Sequence, residues 1–491
     1  MKPAFILFCA AALASGAPLA GAATLTVTTL NDSGAGSLRA AITQANATTG
    51  TDTIQFQNGL QGTIDLSGGA LVITESLSIV GPGAGKVTID ANGRSRVFRF
   101  DNPQGLDRTW AISGLTVRRG LANNGNDDSG GGLFYEATSV HAQITLNDMV
   151  FTQNTAARKG GAISVAGANL TLGNTTLSNN ISQGGFQPSG GGLFFSRGLV
   201  RIERSRIVDN TADLIGGGIN LLSPAVSAVI TDSLVQGNSA SLSGGGMNAG
   251  TMTNLTISRS AFVGNAVTSQ TEGGGIYFAG VTDAGSAENV IENSTFSGNR
   301  SQHQFGRGSA LAVYSGNLTV RNSTFANNVT SPDTSPGAPN AGGALWVSNG
   351  TSTRVTVQST LFNGNTHGNA GMPSDLTRLI GTPESTLNVD HSLFKVTPAI
   401  GVITNASANI EADALLQPLT LAHGGLTPVH PIPRNSPAVD KGANPGNLAT
   451  DQRGAGFVRT WSDPNNRNGV ADIGAYEHRG DTIFFGDFEQ H

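Results

Sequence analysis

Short runs in which apolar and polar side chains alternate recur along most of the chain. Four examples are ITLNDMVF at 144–151, LTISRSAF at 255–262, GNLTVRNSTF at 316–325 and TRVTVQSTLF at 353–362. Alternation of β-branched or aromatic residues with polar ones is typical of a strand with one buried face. Clusters of Gly, Asn, Asp and Ser separate the runs and supply turns. The pattern predicts an all-β chain built from short strands of roughly 4 to 6 residues.

Two sequence markers recur together about every thirty residues, which is the signature of a repeat protein. One marker is an asparagine with an apolar residue three positions before it, as in Phe151 and Asn154. The other is a glycine pair followed, after one residue, by an apolar residue, as in Gly160 to Ile163. Successive asparagines lie 26 to 37 residues apart. The asparagines of the series are Asn154, Asn180, Asn210, Asn238, Asn265, Asn299, Asn328 and Asn365.

The composition of the repeats favours a β-solenoid over a helical array. Helical repeats need long runs of Ala, Leu, Glu and Lys, which these units lack. Coils of a solenoid stack about 4.8 Å apart, so equivalent side chains of neighbouring repeats lie above one another. We therefore predict that the asparagines form a buried structural ladder and that the apolar residues before them form a core column. The expected fold is an all-β parallel β-helix of about ten coils.

The start of the chain has the features of a secretory signal. Lys2 supplies a positive charge, residues 5–14 form an apolar stretch, and small residues precede a cleavage point near Ala22 or Ala23. The apolar stretch is too short to span a membrane. We expect export, and a mature chain that is secreted or held at the cell surface, with no transmembrane segment.

Both flanks of the repeat array differ from it in composition. Ser37 can cap a short helix that begins at Leu38, and a strand-plus-helix plug would cover the open edge of the first coil. A proline-rich region from residue 396 predicts a cap on the last coils. The predicted parts are a signal peptide at 1–23, an N-terminal cap at 24–59, a parallel β-helix at 60–395, a C-terminal capping or anchor-like region at 396–478 and a tail at 479–491.

Charge, cysteine content and the absence of a metal-binding motif indicate which partners and cofactors are not expected. The net charge is −5, charged residues make up 12% of the chain, and no basic run occurs, so nucleic acid is not an expected partner. The single cysteine, Cys9, falls within the predicted signal. The segment DPNNRNGVAD at 463–472 lacks the Gly and Glu that an EF-hand loop needs. We expect no cofactor and no metal site.

The two markers also carry a family resemblance. FTQN, FVGN, FSGN, FANN and FNGN, with GGAI and GGAL, match the repeat signature of the polymorphic outer membrane protein family. The resemblance covers 120–370 and implies a right-handed parallel β-helix; such regions of that family are surface-exposed and often adhesive. GSLRAAI at 36–42 resembles part of the CSLREA-type N-terminal segment of bacterial secreted β-helix proteins. SPAVDKG at 436–442 and ADIGAYE at 471–477 are similar to the choice-of-anchor Q type of C-terminal region.

Two function classes stay open. The favoured one is a non-catalytic, adhesin-like scaffold outside the bacterial cell that binds a glycan or a host or neighbouring cell surface. The alternative is a polysaccharide lyase or glycoside hydrolase, because right-handed β-helices include both kinds of enzyme. Hydrolysis requires two carboxylates on either side of the scissile bond, and no such pair is evident in the sequence. The acidic candidates for an enzyme are Asp127, Asp128, Glu203, Asp209 and Asp213.

Overall fold

A computed structural model gives the architecture of most of the chain. Residues 1–20, Asp127 and residues 480–491 lie outside the described part, so the predicted signal peptide, one acidic candidate and nearly all of the predicted tail are not described. The described residues are 21–123, 125, 128–224, 226–252, 254–269, 272–281, 288–303, 306–330, 342–350, 353–368, 371–379, 385–399, 401–461 and 469–479.

The chain winds into a β-solenoid of about 12 turns, so the predicted all-β parallel fold is confirmed. Each regular coil contributes one strand to each of four sheets, which we call A, B, D and C in the order in which the chain visits them. The coil Ala142–Asn147, Val150–Thr152, Thr155–Ala156 and Ile163–Ala166 shows this order. Neighbouring strands pair in parallel, except for one antiparallel pair near residue 370.

Sheets A and B run the full length of the solenoid. The strands of sheet A are Thr24–Val27, Asp52–Phe56, Leu77–Val80, Arg108–Ser113, Ala142–Asn147, Ala168–Gly173, Gly198–Glu203, Val226–Thr231, Asn254–Ser258, Asn289–Glu292, Asn317–Arg321, Arg354–Gln358, Thr386–Asp390 and Asn405–Ser407. The strands of sheet B are Gly62–Asp65, Val87–Asp90, Thr116–Arg118, Val150–Thr152, Thr176–Ser178, Arg206–Val208, Leu234–Gln236, Ala261–Val263, Thr295–Ser297, Thr324–Ala326, Leu361–Asn363, Leu393–Phe394 and Ile410–Glu411.

Sheets C and D are shorter. The strands of sheet C are Leu71–Ile73, Phe98–Phe100, Leu133–Glu136, Ile163–Ala166, Leu193–Ser196, Ile219–Leu222, Met247–Met252, Ile276–Gly280, Leu311–Ser315, Leu345–Val347 and Leu376–Arg378. The strands of sheet D are Leu121–Ala122, Thr155–Ala156, Ile181–Ser182, Thr211–Ala212, Ser239–Ala240, Ala266–Val267, Arg300–Ser301, Val329–Thr330, Thr366–His367 and Met372–Pro373.

The eight marker asparagines lie at the corner between sheets B and D, and each is at most 1% exposed. The backbone N–H and the side-chain amide of Asn180 both donate to Oδ1 of Asn210, at 3.0 and 2.9 Å. The same amide also donates to the carbonyl of Phe151 in the preceding coil, at 3.0 Å. Equivalent bonds join each asparagine to the next as far as Asn365. Buried amide groups are thereby satisfied from coil to coil.

A second ladder, of hydroxyl groups, lies at the corner between sheets A and B. The backbone N–H of Thr175 donates to Oγ of Ser205 at 3.0 Å, and the N–H of Ser205 donates to Oγ of Ser233 at 3.1 Å. This ladder was not predicted from the sequence, although its signal is present as a Ser or Thr two positions before each core residue. Further members of the ladder are Ser260, Ser294, Ser323, Thr360 and Ser392.

The core column and the glycine turn follow from the same stacking. Phe262, Phe296, Phe325 and Phe362 are fully buried and stack with ring centroids 4.7 to 5.2 Å apart. Gly160 has a φ of +63°, and a Cβ there would lie 2.0 Å from a backbone oxygen. Only glycine fits such a turn, because a side chain would clash with its own backbone.

Segments outside the repeats pack against the solenoid at two places. The helix Leu38–Ala45 begins at Ser37, whose side chain accepts a hydrogen bond from the N–H of Ala40 at 3.2 Å. Its buried face, with Leu38 and Ile42, joins the main core. The strands on either side of it, which the sequence placed in a cap, pair within sheet A.

Residues 405–411 of the C-terminal region supply the last strands of sheets A and B. The rest of the region contacts the side of the solenoid, on the outer face of sheet B. Thr295 Oγ1 donates to Gln452 Oε1 at 2.6 Å, and the N–H of Gly474 donates to the carbonyl of Ser359 at 2.9 Å. A second apolar cluster joins Leu361 and Leu393 of sheet B to this region. These lateral contacts were not predicted, and a capping role for the region stays a prediction. The further members of the second apolar cluster are Ala414, Val429, Ile432, Ala438, Ile473 and Tyr476.

Candidate ligand-binding cleft

The acidic candidates are dispersed over the surface. Asp128 accepts a hydrogen bond from the N–H of Gly125 at 2.7 Å in a loop. Glu203 is half-buried at the end of its sheet A strand, and Asp209 is exposed at the corner after sheet B. Asp213 is exposed beyond sheet D.

No hydrogen bond or ion pair joins any two of Asp128, Glu203, Asp209 and Asp213 in the part of the chain that the structure describes. A catalytic role of these four residues therefore stays a hypothesis, and Asp127 lies outside the described residues.

One pair of acidic side chains does interact, inside the C-terminal region. Asp472 and Glu477 are each 1% exposed, and the N–H of Asp472 donates to Glu477 Oε2 at 3.0 Å. Burial raises the pKa of Asp472 to about 6. Burial, followed by repulsion from Asp472, raises the pKa of Glu477 to about 8. Because both are closed to solvent, a polymer cannot reach them, and we assign them to the packing of this region.

A cleft of about 210 Å³ opens on the outer face of sheet C. It crosses the strands Leu133–Glu136, Ile163–Ala166 and Leu193–Ser196, which pair in parallel. Two coil steps of about 4.8 Å make the cleft roughly 10 Å long along the solenoid axis. Its lining is polar for the most part, and it includes hydroxyl groups and three cationic side chains. The cations are Arg158, Lys159 and Arg197.

Lys159 is the central cation of the cleft. It stands immediately before the glycine turn, where its backbone pairs with Ser189 of the next coil. Its ammonium lies 4.7 Å from the centroid of the Phe194 ring, a distance at which the ring face attracts a cation. Burial lowers the pKa of Lys159, and repulsion from Arg158 lowers it further. Among the described residues, no hydrogen bond or ion pair involves this ammonium.

Two arginines and one glutamate complete the charge of the cleft. Nη2 of Arg197 donates to the carbonyl of Ala137, two coils back, at 2.8 Å, and this bond holds the guanidinium across the middle coil. Nε of Arg197 is buried and makes no hydrogen bond within the described structure. Arg158 is half-buried, and Glu136 is exposed at the rim. Three cations against one carboxylate leave the cleft positive, although the whole chain carries −5.

Arg158 and Lys159 directly precede the glycine turn at Gly160, and neither was predicted as a site residue from the sequence. Arg197 lies nearly forty residues away in the sequence. These cations become neighbours only because consecutive coils stack in register, and no spacing along the chain signals it. The sequence contains one weak indication of the cleft, because Lys159 is the single lysine that directly precedes a glycine pair of the repeat.

Other kinds of site are not evident. Within the described ranges, no group of three or more His, Cys, Asp or Glu side chains is arranged to hold a metal ion. The same part of the chain has no helix with the length and apolar character to cross a membrane. A second cavity, of about 390 Å³, lies near the start of the solenoid between Gln55 and Lys86, and its lining carries one cation.

Comparisons with known proteins give one partial relative in sequence and distant likenesses in structure. No family model matches the chain. A stretch of 156 residues is 29% identical to a Chlamydia pneumoniae protein described as "Probable outer membrane protein pmp20". The match covers 28% of this chain and 9% of that protein, so the chain spans a small part of its relative.

Two solved structures resemble the chain at low identity. One is the A-module of the mannuronan C-5 epimerase AlgE4 from Azotobacter vinelandii, with 13% identity and a TM-score of 0.34 over 81% of this chain and 98% of that one. The other is the catalytic unit of a GH87 α-1,3-glucanase from Streptomyces thermodiastaticus, with 14% identity and a TM-score of 0.37 over 79% and 69%. Likeness at this level transfers neither substrate nor chemistry.

Proposed function

We propose that this protein is an exported, non-catalytic β-solenoid of the bacterial surface or exterior, and that it binds a polymeric glycan. The observation that most strongly supports this function is the cleft on sheet C, which is open, polar and built on rigid stacked strands. Ligand sites on such a scaffold are held in a defined geometry, because each strand is fixed by its neighbours on both sides. The partial likeness to a chlamydial outer membrane protein supports the location.

The dispersion of the acidic candidates favours binding over cleavage. Glycoside hydrolysis by the usual route needs two carboxylates within about 5 to 10 Å of each other. Glu203, Asp209 and Asp213 lie at different corners of a coil. Asp472 and Glu477 are close to each other but buried. These placements support the binding function.

A glycan panel tests this function. The mature chain would be incubated with neutral and acidic polysaccharides, and both retention on the polymer and the release of new reducing ends would be measured. We expect retention of at least one polymer without any release. Depolymerisation that disappears in Glu203→Gln or Asp213→Asn would establish the enzyme instead.

A further inference from the structure

The positive charge of the cleft indicates which chemical class of glycan it would bind. A half-buried ammonium without a charged partner is costly, since burial disfavours the ionised form. Lys159 is half-buried, and attraction to Glu136, the carboxylate at the exposed rim of the cleft, only partly offsets the cost of burying its ammonium. Arg197 has a buried Nε with no hydrogen-bond partner in the described structure. An incoming anion would bring a further charged partner to the Lys159 ammonium.

We propose that the cleft is an anion-binding subsite for acidic extracellular polysaccharide, with Lys159, Arg197 and Arg158 as its ligand groups. The inference rests on the proposed glycan-binding function. Carboxylate and sulfate oxygens both accept charge-assisted hydrogen bonds from guanidinium and ammonium groups. Neutral sugars offer no group that offsets the desolvation of Lys159.

The surroundings keep these cations in place when no ligand is bound. The ring of Phe194, which is 3% exposed, lies beneath the Lys159 ammonium. The carbonyl of Ala137 holds one end of the Arg197 guanidinium. The side chains therefore lose little conformational freedom on binding, which favours affinity. The hydroxyl groups of Ser164 and Ser196 line the same cleft and can contact the rest of a sugar ring.

The dimensions of the cleft suit one charged sugar residue of a longer chain. Its volume of about 210 Å³ is lined by residues of three stacked strands. Affinity should rise with chain length until the polymer spans the roughly 10 Å of the cleft.

Three polymers would serve as probes: polygalacturonate, dextran sulfate and dextran, which carry carboxylates, sulfates and no charge. Dissociation constants would be measured at low and high salt for the wild type, Lys159→Gln, Arg197→Gln and the control Lys441→Gln, which removes an exposed lysine in the C-terminal region. We expect tight binding of a charged polymer, weakened about tenfold or more by each cleft variant. Lys441→Gln should behave as wild type, and Lys159→Arg should restore most of the affinity.

The outcomes separate the two proposals. Preference for polygalacturonate identifies a carboxylate ligand, and preference for dextran sulfate identifies a sulfate. Equal affinity for dextran and the charged polymers, or an equal loss in Lys441→Gln, overturns the anionic subsite but leaves a glycan-binding protein. Failure of the folded wild type to bind any glycan overturns both. Thermal unfolding of each variant shows whether a loss of binding reflects a loss of fold.

Discussion

At the scale of single residues, the marker asparagine is a connector between coils. Oδ1 of Asn265 accepts from both the backbone N–H and the side-chain amide of Asn238, at 3.0 Å each. Its own amide donates to the carbonyl of Val235 and to Oδ1 of Asn299. A single side chain thus satisfies buried groups in two neighbouring coils, which explains why the residue type recurs without substitution.

Replacement of Asn265 by alanine should be costly. It leaves buried donors of Asn238 without an acceptor, and each unsatisfied buried group costs roughly 1–3 kcal/mol. We expect Asn265→Ala to lower the free energy of unfolding by about 3 kcal/mol, measured by chemical denaturation. Asn254→Ala, at a half-buried position on the same coil, is the matched control and should change it by less than about 0.5 kcal/mol. Equal losses would mean that the ladder does not stabilise the fold.

At the scale of elements, the ladder ends where the coil pattern breaks. After Asn365 the chain turns back in the antiparallel pair of Thr366–His367 with Met372–Pro373. The last rung is Asp375, whose Oδ1 accepts from the amide of Asn365 at 2.8 Å. Burial raises the pKa of Asp375 to about 6, although hydrogen bonds from Asn365 and from the N–H of Lys395 lower it. A carboxylate therefore stands where the regular coils carry an amide.

The raised pKa of Asp375 makes stability depend on pH. Between about pH 4 and pH 6 the folded chain retains a proton that the unfolded chain has lost, so this group contributes less stability as pH rises. A shift of this size corresponds to roughly 3 kcal/mol over that window. In Asp375→Asn the group cannot titrate, and we expect a flatter profile of unfolding free energy between pH 4 and 6. Asp209→Asn, at an exposed site, should keep the wild-type slope.

At the scale of the whole molecule, the C-terminal region divides sheet B into two halves. In the early coils the outward residues, such as Thr176, are half-exposed. In the later coils the equivalent residues, such as Thr295 and Thr324, are buried beneath the C-terminal region. Gln452 bridges the contact, because it accepts from Thr295 and donates to Thr427 at 2.9 Å. The solenoid and this region therefore form one folded body along that face.

Thr295 and Thr176 occupy the same register position of sheet B. Substitutions at the two positions would measure how much the contact with the C-terminal region contributes to the free energy of unfolding. Thr295→Ala leaves the buried side-chain oxygen of Gln452 without its donor, and we expect a loss of about 1–3 kcal/mol in unfolding free energy. Thr176→Ala makes the same change on an uncovered coil and should cost less than about 0.5 kcal/mol. Limited proteolysis should also cut the C-terminal region of Thr295→Ala faster. Identical behaviour of the two variants would show that the contact does not hold the region.

The repeating architecture follows from the residue pattern alone. Alternating residues specify strands locally, and the marker asparagines and glycines such as Gly160 specify corners, because the stacking of identical units demands identical side chains. The Ser or Thr two positions before each core residue also indicates the hydroxyl ladder, which we did not predict from the sequence.

Which side chains meet on the outer faces of the solenoid depends on how the coils stack and on where the C-terminal region packs. The cations Lys159 and Arg197 become neighbours through coil stacking, and Asp375 joins the ladder through an irregular turn. The C-terminal region supplies the last strands of sheets A and B, and it also contacts the side of the solenoid. The lateral contact of Thr295 with Gln452 joins residues 157 positions apart and belongs to no repeat, so no pattern in the sequence predicts it.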